Sequence, residues 1–170
     1  MKISRRWLTL IPAALALVGA MAVVHADAPR VRVDWINPAG FSDVRQSMCR
    51  TRTNPEEWLG DLAKYVQRRA EKMIGAGQRL QVTFTDVMRA GLCEPWRGPR
   101  WDDIRIVKNI YPPSINLHYV LTNADGTTVR KGEAKLSDVA YLNRGTPNSN
   151  DPLRYEKRML DDWLRREFPG

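Results

Sequence analysis

The segment Ile115-Asn116-Leu117-His118-Tyr119-Val120-Leu121, followed by Asn123-Ala124-Asp125-Gly126 and then Thr127 to Ala134, decides the fold class. Its first part alternates along an extended chain. The Asp-Gly pair supplies the backbone freedom of a tight reversal, so the whole reads as an antiparallel hairpin. Pro112-Pro113 stops any element that would run into it. Two more alternating runs lie upstream. Arg79 to Val87 puts Leu80, Val82 and Phe84 on one face, and Arg30 to Ile36 puts Val31, Val33 and Trp35 opposite charged residues. Ile104 to Ile110 reads either as a short strand or as an extended loop.

Helical spacing fills the gaps between these strands. Asn54-Pro55-Glu56-Glu57 is a start signal, with Asn54 as cap and Pro55 at the first helical position, where its missing donor does no harm. Leu59, Leu62, Ala63, Val66, Ala70, Met73 and Ile74 then recur at three- and four-residue intervals, which predicts a helix over residues 55–74 ended by Gly75-Ala76-Gly77. Asp151-Pro152 repeats the start signal after a polar loop around 143–150 and predicts a second helix over 152–167. Leu153, Tyr155, Met159, Leu160, Trp163, Leu164 and Phe168 would face the sheet, with Lys157, Arg158, Asp161, Arg165 and Arg166 in water.

Strand, helix, strand, hairpin and helix describe one α+β domain over residues 27–170. The expected architecture is a two-layer sandwich, with a mainly antiparallel sheet of about four strands and two helices on one face. The chain has 170 residues, the size of one ordinary domain, and shows no internal repeat or long linker. With 43% hydrophobic and 27% charged residues it is too apolar for a disordered chain and too polar for a multi-span membrane protein.

Residues 1–26 carry an address. Lys2, Arg5 and Arg6 form a basic head, Leu8 to Val24 an apolar run, and Val24-His25-Ala26 a small-residue cleavage site, the pattern of a secretory signal peptide. An uncleaved anchor is the rival reading, but the run is short for a bilayer core of roughly 30 Å and contains Pro12. Ser4-Arg5-Arg6-Trp7-Leu8 also resembles the start of a twin-arginine signal. The expectation is a periplasmic protein with no integral membrane segment after cleavage near Ala26. Cleavage removes three basic residues and no acidic one, so the net charge of +8 falls to +5. That balance suits solubility and contact with anionic envelope components, and an exported location argues against nucleic acid as a partner.

An oxidising compartment gives meaning to Cys49 and Cys93, the only two cysteines. They read as a disulfide, or else as a pair of buried thiols. Two Cys and two His cannot build a four-thiolate zinc site or a histidine-rich centre, so no metal and no cofactor is expected. Gly75-Ala76-Gly77 follows a helix rather than opening one, which is the wrong order for a phosphate loop. His118 falls among polar strand residues as a surface or interface side chain, and no Gly-x-Ser-x-Gly elbow presents a serine. Asp102-Asp103 and Asp161-Asp162 are neighbours in sequence, and neighbouring side chains diverge, so capping or ion pairing is expected of them.

The least ordinary stretch is Glu94 to Lys108, which holds Trp96, Arg97, Arg100, Trp101, Asp102 and Asp103 between turn residues. Two Trp beside two Arg would make a flat cationic platform for a sugar ring, a peptide strand or an anionic group. In the alternative, the rings staple a long loop to the core and the Arg residues pair with Asp102 and Asp103. Two functions follow. One is a non-catalytic domain that binds an envelope protein or glycan through these residues and the open sheet face. The other is a small hydrolase-like enzyme using Asp102, Asp103 or Glu94 near Arg97.

Pro95-Trp96-Arg97-Gly98-Pro99, the run from Asp102 to Pro113, and Asn150-Asp151-Pro152-Leu153-Arg154-Tyr155-Glu156-Lys157-Arg158-Met159-Leu160-Asp161-Asp162-Trp163 together resemble the proteobacterial family of domain of unknown function 3016. The resemblance spans nearly all of the chain after residue 26. It implies an exported single-domain protein with no catalytic residues to carry over.

Overall fold

The computed structural model describes residues 29–51, 53–145 and 150–169. The leader read over residues 1–26 lies outside the described residues. The elements are β1 (Val31–Trp35), α1 (Ser42–Gln46), α2 (Pro55–Ala70), β2 (Arg79–Met88), β3 (Leu92–Cys93), β4 (Arg105–Ile106), β5 (Ser114–Thr122), β6 (Thr128–Ser137) and α3 (Arg154–Glu167). No helix among the described residues is long and apolar enough to cross a membrane.

The main sheet has the order β1-β2-β5-β6. β5 pairs antiparallel with both β2 and β6, while β1 runs parallel to β2. A parallel pair cannot be closed by a tight turn, and the helical segment between β1 and β2 supplies the crossover. The fold is therefore α+β with a mainly antiparallel four-stranded sheet, as the alternating runs require. The register aligns the inward residues in rows: Val33, Val82 and Tyr119 face Gly132, and Trp35, Phe84 and Leu117 face Ala134. Gly132 leaves room for the Tyr119 ring, since a Cβ there would lie 3.1 Å from the Tyr119 oxygen.

Both long helices cover this face. Leu59, Leu62 and Val66 of α2 and Leu160, Trp163 and Leu164 of α3 share one buried core with the inward strand residues. Trp163, Tyr119 and Phe168 meet edge to face at centroid distances of 5.6–5.8 Å, the geometry that aromatic quadrupoles favour. The opposite face is polar, and one row of it runs Asp34, Thr83, His118, Glu133. His118 is exposed there, with Nδ1 3.4 Å from Glu133.

Several boundaries differ from the sequence reading. The polar stretch before Cys49 contains α1, whose Asp43 is buried next to buried Phe41. α2 ends at Ala70 and the chain continues to Ile74 in turns, so the predicted helix was four residues too long. Residues 105–106 form a two-residue strand paired with Leu92 and Cys93. Helix α3 begins at Arg154 rather than 152, because Asp151 folds into a turn of its own, accepting from the Leu153 amide at 2.8 Å and from Lys157 at 2.6 Å. Arg158 is buried, not solvated. It donates to the carbonyls of Arg144, Gly145 and Tyr141 and to Asp138, gathering the loop after β6 onto α3. Lys157 and Asp161 are only part-exposed. The pair Asp161-Asp162 diverges as neighbours on a helix must: Asp161 binds Tyr65 and Arg69 of α2, and Asp162 binds Arg144 and Arg165.

Candidate functional site

The loop of residues 94–108 is a short series of single turns built on a buried acid. Glu94 follows Cys93, and 1% of its surface is exposed. One carboxylate oxygen accepts from Lys108 and from the Tyr111 hydroxyl at 3.0 Å, and the other accepts from Arg97. The Lys108 ammonium, helped by Tyr111 and Arg97, holds the Glu94 carboxyl below its ordinary value against the opposing effect of burial. The group is a fixed anion that clamps both ends of the loop.

Around this clamp the chain makes two 3-10 turns, Pro95–Arg97 and Pro99–Trp101, with Gly98 at φ 108° between them. Proline presets the first residue of each turn, and only glycine tolerates the φ of the junction. The result pushes the indoles outward: Trp96 is 63% exposed and Trp101 38%. The Arg97 guanidinium lies 5.5 Å from the Trp101 ring centroid. Arg100 and Ile104 are exposed on the same loop.

The expected pairing of the loop arginines with Asp102 and Asp103 is replaced by a different one. Arg97 bonds Glu94, while Asp103 accepts from the Thr51 amide at 2.6 Å and the Thr51 hydroxyl at 3.2 Å, and the Asp102 carbonyl accepts from the Arg50 amide. The segment before Thr51 is fixed by a second tie, a disulfide between Cys49 and Cys93. Of the six residues singled out in the loop, Trp96, Arg97, Arg100 and Trp101 face solvent together, and Asp103 turns toward the Cys49 segment.

Beneath the loop lies a charge cluster that no sequence pattern indicated. Asp43 of α1 accepts from the Arg89 amide at 3.0 Å, from the Arg89 guanidinium at 3.0 and 2.8 Å, and from Arg105. Arg105 also donates to the Ala90 carbonyl, and Arg89 stacks 4.7 Å from the Trp58 ring centroid. Glu156 of α3, fully buried, accepts from the Ala90 amide at 2.6 Å. Burial pushes the Glu156 carboxyl up, opposed by its Ala90 bond and by the two arginines. Arg89 and Arg105 open on a cleft of about 350 Å³ whose rim carries Ser47, Thr51, Thr53 and Asp103. The sequence signal that existed was weak: Asp43 sits in a polar stretch, and Arg89 and Arg105 each stand at the end of an alternating run.

A second hollow of about 360 Å³ lies between α2 and α3. Its charged groups pair with one another, Lys157 with Asp151 and Arg144 and Arg165 with Asp162, and the Arg144 pair ties the loop to α3. Among the described residues, no group of three or more His, Cys, Asp and Glu side chains is placed to hold a metal ion.

Among known families, residues 29–166 match the model described as Protein of unknown function (DUF3016). No curated protein matches the chain.

Proposed function

We propose that this chain, which belongs to the DUF3016 family, is an exported, non-catalytic binding domain that docks on a protein or glycan of the cell envelope through Trp96, Arg97, Arg100 and Trp101. The observation that carries the reading is the outward display of Trp96 and Trp101 by turns whose pivot, Glu94, is buried and held by three donors. Large rigid aromatics next to Arg are the side chains that contribute most to binding per residue. A loop already ordered before the partner arrives loses little entropy on docking.

The same geometry leaves two of the three acids of the hydrolase-like alternative, Glu94 and Asp103, poorly suited to its chemistry. Glu94 has both oxygens occupied and a lowered proton affinity, so it is ill suited to donate a proton, and Asp103 is occupied by Thr51. Export is supported by the basic head and apolar run of residues 1–26, and its test is the fractionation of cells carrying the full chain.

The binding test is in-cell crosslinking with wild type, Trp96→Ala and Arg97→Ala. A specific adduct seen with wild type and lost in both variants, at unchanged urea midpoint for Trp96→Ala, is the expected result. Adducts that persist in both variants would remove the loop from the function.

A further inference from the structure

We propose that the cleft formed by Arg89 and Arg105 beside the Cys49–Cys93 bridge is a binding site for the oxyanion group, phosphate or carboxylate, of a small ligand. The site is separate from the exposed tryptophans and does not depend on their role.

The argument starts from the donor inventory. Arginine is always charged and offers five N–H donors in a planar fork, a match for paired oxygens. One buried carboxylate, Asp43, holds two such forks from behind, and both guanidiniums still reach the surface, with 18% and 20% of their side chains exposed. A single guanidinium would satisfy Asp43, since Arg89 alone already places its backbone amide and two side-chain nitrogens on it. Arg105 adds a second positive charge at the same point.

Net charge does not select the ligand, since Asp43 and Asp103 balance the two arginines; the direction of the free donors does. Glu156 faces the cluster from α3, but burial favours its neutral form. Asp103, on the rim, already takes two donors from Thr51. What remains is a concave surface of guanidinium edges and hydroxyls, Ser47 and Thr53 among them, on a cleft large enough for a small molecule. A donor-rich concavity, in which Arg89 and Arg105 keep N–H groups beyond those given to Asp43, Thr53 and the backbone, selects an acceptor-only anion. The wall opposite the arginines is held in place by the disulfide and by the Thr51–Asp103 bonds, so the cleft is formed before a ligand enters.

The test uses the purified protein and inorganic phosphate, titrated against chloride at matched ionic strength, with nitrogen–proton NMR read at the arginine Nε–H groups and the Thr51 and Thr53 amides. Saturable shifts confined to Arg89, Arg105 and those amides are expected. Arg105→Lys keeps a cation on Asp43 but loses the fork, and should weaken phosphate about tenfold, the equivalent of one charge-assisted hydrogen bond. Arg32→Lys, on the far face of β1, should leave the affinity unchanged. Thr53→Val, at the rim, serves if Arg105→Lys does not fold, and should also weaken binding. A parallel titration with acetate tells a carboxylate site from a phosphate site. Shifts that do not saturate, that spread to Arg32, or that survive in Arg105→Lys and Thr53→Val would overturn the proposal.

Discussion

Glu156 stands in the first turn of α3 with no exposed surface. One of its oxygens accepts from the Ala90 amide, and the other has no partner. A carboxylate in that position is desolvated with only half of its acceptor capacity used, which raises its proton affinity in the folded state. The linkage has a definite sign. A folded pKa above the unfolded one means that the native protein binds the extra proton, so stability is fullest below the ordinary Glu value of 4.5 and declines as pH rises toward the folded value. Glu156→Gln reproduces the neutral form, keeps an acceptor for Ala90, and should flatten that decline. Urea midpoints measured from pH 4 to pH 8 should show the variant gaining on wild type as pH rises, the other carboxylates contributing equally to both curves; parallel curves would show that burial does not raise the Glu156 pKa. Nothing about residue 156 in the sequence marks it as buried. It lies among Tyr155, Lys157 and Arg158, and Arg158 is itself drawn in by three carbonyls of the loop around Arg144. A helical pattern reports the stripe that faces the sheet. It carries no information about a loop that folds over the helix's flank.

Two elements begin with similar dipeptides and end differently. Asn54-Pro55 opens α2 as its chemistry suggests, the Asn54 side chain accepting from the Glu56 amide at 3.1 Å. Asn54→Ala should therefore lower the unfolding free energy by about 1 kcal/mol, read as a lower urea midpoint at unchanged slope. Asp151-Pro152 makes a turn instead, and α3 starts at Arg154. The difference arises because Asp151 is also claimed by Lys157, an ion pair made only once the helix is in place. The strands were the most legible elements. Their two-residue period fixes which side chains share a face, and Leu80, Val82, Phe84, Leu117 and Leu121 are all buried as that period requires. The pairing of β3 with β4 was the least legible, since two residues on each side have no period to read.

At the scale of the whole molecule, the disulfide ties the segment after α1 to the edge of the loop layer across 44 residues. Closing a loop of that length restricts the unfolded chain by about 4 kcal/mol on the chain-entropy account. The double variant Cys49→Ser, Cys93→Ser should lose stability of that order, and reductant should shift the wild-type urea midpoint while leaving the variant's unchanged. Equal midpoints with and without reductant would show that the bridge adds nothing. By itself the sequence determined the α+β class, the inward face of each strand, the two long helices and the cysteine pair, because all of these follow from short periods, local start signals or simple counting. Only the tertiary structure decided that Glu94 would be buried beneath Arg97, Lys108 and Tyr111, or that Asp43, Arg89, Arg105 and Glu156 would share one cluster. Those groups are separated by up to more than a hundred positions along the chain. Their meeting depends on which loops the sheet order places at the same edge, and no local pattern encodes that.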